Sequence, residues 1–224
     1  MIVSFPTDGS TASGYLAIPE AGTGPGLLVL QEWWGLVDHI RDVCDRFAAE
    51  GFVALAPDLY HGKQATSPDQ AGKLFMALNI AQAGRELRGA ADYLLGHPAV
   101  EPKRVGVVGF CMGGQLALYA AQEQGDRLAC AVNFYGIQPR VEIDPARVRI
   151  PVQGHFGRQD KSVPIERATA LARAVQSAGG SFELHEYEAG HAFFNDTRTQ
   201  VYDPVAAEQA WQRTVGFLKN HLAV

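Results

Sequence analysis

The chain has 224 residues, 47% of them apolar and 19% charged, with a formal net charge of −5. This composition suits one α/β domain over residues 1–224 and excludes a disordered chain, which would be richer in charge and poorer in apolar side chains. A negative balance without clustered Lys and Arg also argues against nucleic-acid and anionic-membrane partners.

In chain order, residues 2–18 read as an antiparallel hairpin at a sheet edge. Short, nearly continuous apolar runs follow at 26–30, 52–56, 105–108, 129–134 and 150–152, the pattern of parallel strands covered on both faces. Between them, apolar residues recur near a 3.6-residue period over 38–50, 68–95, 112–124 and 165–178, which predicts helices. A strand over 182–187 and a helix over 204–221 close the chain. The alternation is that of a doubly wound, mostly parallel sheet flanked by helices, whose ligands bind where loops leave the carboxyl ends of strands. The loops to inspect are therefore those after Leu30, Val108, Phe134, Phe156 and Tyr187.

Residues 1–6 carry no basic segment leading into a long apolar one, and no apolar run approaches the ~20 residues of a membrane span, so a cytoplasmic location is expected. Cys44, Cys111 and Cys130 are widely spaced with no CxxC pair, which suits neither a disulfide framework nor a zinc site.

One cysteine stands apart by its context. The segment Gly109-Phe110-Cys111-Met112-Gly113-Gly114 lies between a predicted strand and a predicted helix, as a G-x-nucleophile-x-G elbow does. A strand that turns directly into a helix forces the nucleophile into strained φ/ψ, and side chains two residues to either side would collide with neighbouring backbone. Cys111 would then project near the first turn of a helix, whose N–H groups and positive dipole end favour a thiolate and a developing oxyanion. For Cys44 and Cys130 a buried structural role is the better reading.

Of seven histidines, His191 has the position a base requires, on a loop past the last strand, where Gly190 allows a sharp turn. Asp160 lies on a glycine-bearing loop after the preceding strand, in the nucleophile, acid, histidine order; the commoner fate of such an Asp is to cap a helix or face water. The oxyanion donors would be the N–H of Met112 and an N–H of the loop Gln31-Glu32-Trp33-Trp34-Gly35, assigned to Trp33. Glu32 would stand close to Cys111, either holding it neutral by repelling the thiolate or acting as a local base. Its alternatives are a helix-start acid or a charge turned to water.

Taken together, Gln31-Glu32-Trp33-Trp34-Gly35, the Cys111 elbow, Asp160 and Gly190-His191-Ala192-Phe193 resemble the dienelactone hydrolase family, as does Pro57-Asp58-Leu59-Tyr60, over nearly the whole chain. The resemblance implies an α/β-hydrolase fold, a triad of Cys111, His191 and Asp160, and a glutamate, matched by Glu32, touching the resting thiol. It implies no cofactor and no metal. One feature is unmatched: the family's carboxylate-binding arginine, a few residues after the histidine, is replaced by Phe193, Phe194 and Asn195, and neither Arg85 nor Arg198 is assigned to its place. The expected activity is hydrolysis of a small-molecule ester or lactone through an acyl-thioenzyme. The competing readings are a non-catalytic binding protein on the same fold and a thiol redox protein using Cys111.

Overall fold

A computed structural model describes residues 1–222. One eight-stranded sheet runs through it, with the strands in the order β1-β2-β4-β3-β5-β6-β7-β8. Strands β1 (Ile2–Thr7) and β2 (Ser10–Ala17) form the expected edge hairpin. β2 also pairs antiparallel with β4 (Val53–Pro57), and from there every pairing is parallel, through β3 (Gly24–Leu30), β5 (Val100–Phe110), β6 (Leu128–Phe134), β7 (Val152–Gly157) and β8 (Phe182–Tyr187).

The apolar runs are continuous because the central strands are buried on both faces. Leu28, Leu30, Val105 and Val107 point into one core layer and Leu27, Val29, Val108 and Phe110 into the other, as the two-residue strand period requires. The first layer is closed by α3 (Ile80–Gly96) and α4 (Met112–Glu123), and α5 (Ile165–Ser177) adds Ala172 and Val175 to it. The second is closed by α1 (Asp38–Ala49) and α6 (Pro204–Leu222), with Phe47 and Leu218 fully buried.

Two expectations are corrected and one element is new. The helix read over 68–95 is two helices, α2 (Pro68–Ala77) and α3, because the backbone is extended at Leu78 and Asn79, and the Asn79 side chain accepts the N–H of Gln82 as a new N-cap. The strand whose apolar run was read at 150–152 begins only at Val152 and runs, through the polar Gln153 and His155, to Gly157, one residue past the end expected at Phe156. A short 3₁₀ turn at Pro145–Arg147 had no counterpart in the sequence reading.

Candidate active site

The carboxyl ends of β3, β5, β6, β7 and β8 deliver the loops that build the site. At the end of β5 the chain reverses into α4 at Cys111, whose φ of 55° and ψ of −115° lie in a region that non-glycine residues rarely occupy. The strain is held by close packing. A Cβ on Gly109 would fall on the carbonyl of Gly113, and one on Gly113 would fall on the carbonyls of Leu30 and Gln31. The Cys111 N–H is tied to the Phe134 carbonyl at 2.9 Å, which anchors the turn to β6.

Asp160 leaves β7 on a short loop and is buried. Its Oδ1 accepts the N–H groups of Ser162 at 2.7 Å and Val163 at 2.9 Å, which leaves Oδ2 to face the Nδ1 of His191 at 2.7 Å. The other ring nitrogen, Nε2, lies 3.3 Å from the Cys111 Sγ. The sequence thus brings together three residues separated by 49 and 31 positions. Burial alone would lower the pKa of His191, but the hydrogen bonds and charges of Asp160 and Cys111 outweigh it and push the imidazole up to about 10. That direction favours an imidazolium held between two acceptors.

The sharp turn expected at Gly190 is made elsewhere. Gly190 has no positive φ, whereas Ala192, directly after His191, adopts a φ of 61°. The loop is pinned beyond it: Asp196 lies 3.5 Å from Arg46 and 3.4 Å from the buried His39 on α1.

Cys111, His191, Glu32, Trp33 and Met112 all line one cavity of about 220 Å³, walled also by Trp34, Phe75 and Arg198. Among the backbone hydrogen bonds of loops, turns and caps, none uses the N–H of Trp33 or of Met112. Glu32 differs from expectation. It is buried in the same cavity wall, but its Oε2 accepts from Asn195 Nδ2 at 2.7 Å and its Oε1 from the Tyr135 hydroxyl at 3.5 Å, while the thiol faces His191. Among the described residues no hydrogen bond joins Glu32 to Cys111.

Sequence reading missed Tyr135 and Asn195 as partners of Glu32. Tyr135 follows β6 with a φ of 43°, is fully buried, and stands edge-on to His191 with ring centroids 5.2 Å apart. Its position one residue past a strand end was the available signal; nothing in the sequence paired it with a residue 103 positions away. Arg198 stacks over the Trp34 ring at 4.9 Å, whereas Arg85 lies in a separate surface depression beside the β1–β2 turn. Cys44 and Cys130 are fully buried, and burial pushes the Cys130 thiol up to about 12. Among the described residues no three His, Cys, Asp or Glu side chains gather as a metal site.

A strained cysteine elbow facing a histidine and a buried carboxylate, on a mostly parallel sheet, defines an α/β-hydrolase-fold enzyme. The profile of the dienelactone hydrolase family matches residues 12–222, and the chain belongs to that family, as a hydrolase of the ester and lactone class. It is 38% identical over 228 residues to "Protein usf" of Aquifex pyrophilus, covering 99% of this chain and 98% of that protein. It is 34% identical over 228 residues to a "Putative carboxymethylenebutenolidase" of Aquifex aeolicus, with the same coverage. The crystal structure titled "Putative Dienelactone Hydrolase" from Klebsiella pneumoniae superposes with a TM-score of 0.85 at 29% identity, over 96% of this chain and 98% of that one. No helix among the described residues is long and apolar enough to cross a membrane.

Proposed function

We propose that the chain hydrolyses a small ester or lactone by way of an acyl-thioenzyme on Cys111, with His191 as the proton carrier and Asp160 as its orienting acid. The observation that carries this reading is the continuous relay from Asp160 Oδ2 through both His191 nitrogens to Cys111 Sγ, at 2.7 and 3.3 Å. The thiolate attacks the carbonyl carbon, and the carbonyl electrons move onto oxygen, where the N–H groups of Trp33 and Met112 receive the charge. Collapse of the tetrahedral adduct breaks the bond to the alkoxide, which takes its proton from the His191 imidazolium. With a lactone the alcohol stays attached to the acyl group. Water then attacks the thioester with His191 taking its proton; the carboxylic acid leaves and the thiolate returns.

Three free thiols suit a reducing compartment and so support the reading of a cytoplasmic enzyme that acts on small molecules, with residues 1–224 read as one domain. The test is Cys111→Ala. Hydrolysis of p-nitrophenyl acetate should vanish while the circular dichroism spectrum is kept; activity near that of the parent enzyme would end the proposal.

A further inference from the structure

The cradle around Glu32 carries a consequence for substrate choice, resting on the hydrolase reading above. The Asn195 amide can sit in only one way: its Oδ1 accepts the backbone N–H of Thr197 at 3.2 Å and its hydroxyl at 2.6 Å, which turns Nδ2 onto Glu32. The Tyr135 hydroxyl is kept protonated, since burial and the neighbouring Glu32 carboxylate hold its pKa well above the ordinary value, and so it also donates. Both Glu32 oxygens therefore act as acceptors, as an ionised carboxylate does. Both donors are neutral, and no Lys or Arg pairs with Glu32 among the described residues.

The other charged groups bordering the cavity do not cancel it. His191 is shared between Asp160 and Cys111. Arg198, half-buried at the wall, has its guanidinium over the Trp34 ring and forms no ion pair among the described residues. Glu32 is 2% exposed, so solvent screens it less than the guanidinium. Glu32 and Cys111 line the same cavity of about 220 Å³, so an acyl group bound to Cys111 shares that small space with the carboxylate at short range. Repulsion between two like charges at such a range in a partly dry site amounts to about tenfold or more in kcat/KM.

We propose that Glu32, held as an anion by the neutral donors Asn195 and Tyr135, is a specificity-determining residue that selects esters and lactones whose acyl half carries no charge. Trp33, Trp34 and Phe75 give that acyl half an apolar wall.

The test compares 4-nitrophenyl hexanoate with mono-4-nitrophenyl adipate, which share a leaving group and a chain length and differ by one terminal carboxylate. At low ionic strength kcat/KM for the hexanoate should exceed that for the adipate by tenfold or more. Added salt should narrow the gap in the parent enzyme, a readout that needs no variant to fold. Glu32→Gln, which keeps the shape and removes the charge, should narrow it too, whatever it does to the absolute rates. Equal rates, or a gap that neither salt nor Glu32→Gln changes, would overturn the proposal. So would a preference for the adipate that Arg198→Gln abolishes, which would make Arg198 a carboxylate anchor instead. Turnover of neither ester would overturn the hydrolase reading as well, whereas equal turnover of both would leave that reading intact.

Discussion

Replacing Asp160 by Asn should do more harm than the loss of one charge. The two backbone N–H groups of Ser162 and Val163 must keep an oxygen opposite them, so the new amide has to point its NH₂ group at His191. Nδ1 then becomes an acceptor, and a neutral imidazole carries its proton on Nε2, toward the thiol it should deprotonate. The electrostatic part follows from the imidazole's rise from 6.5 to about 10, which corresponds to about 5 kcal/mol in favour of the imidazolium. Asp160 and Cys111 share that effect, so losing the carboxylate removes part of it and weakens the imidazolium. The wrong tautomer adds to this, and kcat/KM for p-nitrophenyl acetate should fall by about 10²- to 10³-fold. Asp160→Ala, which leaves the ring free to choose its tautomer, should be no worse than Asp160→Asn. The rate of iodoacetamide alkylation of Cys111 at pH 7 should fall in both. A kcat/KM within threefold of the parent enzyme for Asp160→Asn would refute the reasoning.

Other outcomes follow from the same geometry. His191→Ala should slow acylation more than either Asp160 change, because it removes the proton carrier itself; stopped-flow release of nitrophenol measures this. Gly113→Ala puts a methyl group on the carbonyls of Leu30 and Gln31, so it should lower stability by about 2 kcal/mol or more and disturb the elbow, read by urea unfolding together with kcat. Folding stability should peak near neutral pH for two opposed reasons. His155, fully buried between Tyr187, Gln153 and Thr214, is held neutral in the folded state by burial and by His185 and Arg213, so the unfolded chain binds its proton first. Stability is lost as pH falls below about 6.5, by up to about 1.4 kcal/mol per pH unit for this group. His191 does the reverse: its stabilisation is complete below about 6.5 and is lost as pH rises toward about 10. Urea midpoints between pH 5 and 10 measure both, and His155→Gln should flatten the acid side alone.

The elbow and the grouping of Cys111, Asp160 and His191 were legible because local chemistry demands them. Two glycines flanking Cys111 are required by backbone contacts that any side chain would violate, and the order of Cys111, Asp160 and His191 follows the order of the strands that carry them. What stayed hidden depends on contacts distant in sequence. Glu32, Tyr135 and Asn195 meet only because β3, β6 and the loop after β8 end on the same side of the sheet, and nothing local to any of them announces the others. The break between α2 and α3 was missed for a different reason: the apolar period continues across Leu78, and one Asn side chain competing for the backbone decides the geometry. The turn at Ala192 was assigned to Gly190 because glycine is the default for a positive φ, and packing overrode that default.

The central claim is that an acyl group passes through Cys111. Rapid quenching of the enzyme during turnover of p-nitrophenyl acetate, followed by peptide mass spectrometry, tests it most directly. The account predicts one acetyl group per chain, on the peptide containing Cys111, accumulating further in a variant slowed in thioester hydrolysis and absent from Cys111→Ala. An acetyl group on another residue, or steady turnover with Cys111 unmodified and Cys111→Ala fully active, would contradict it.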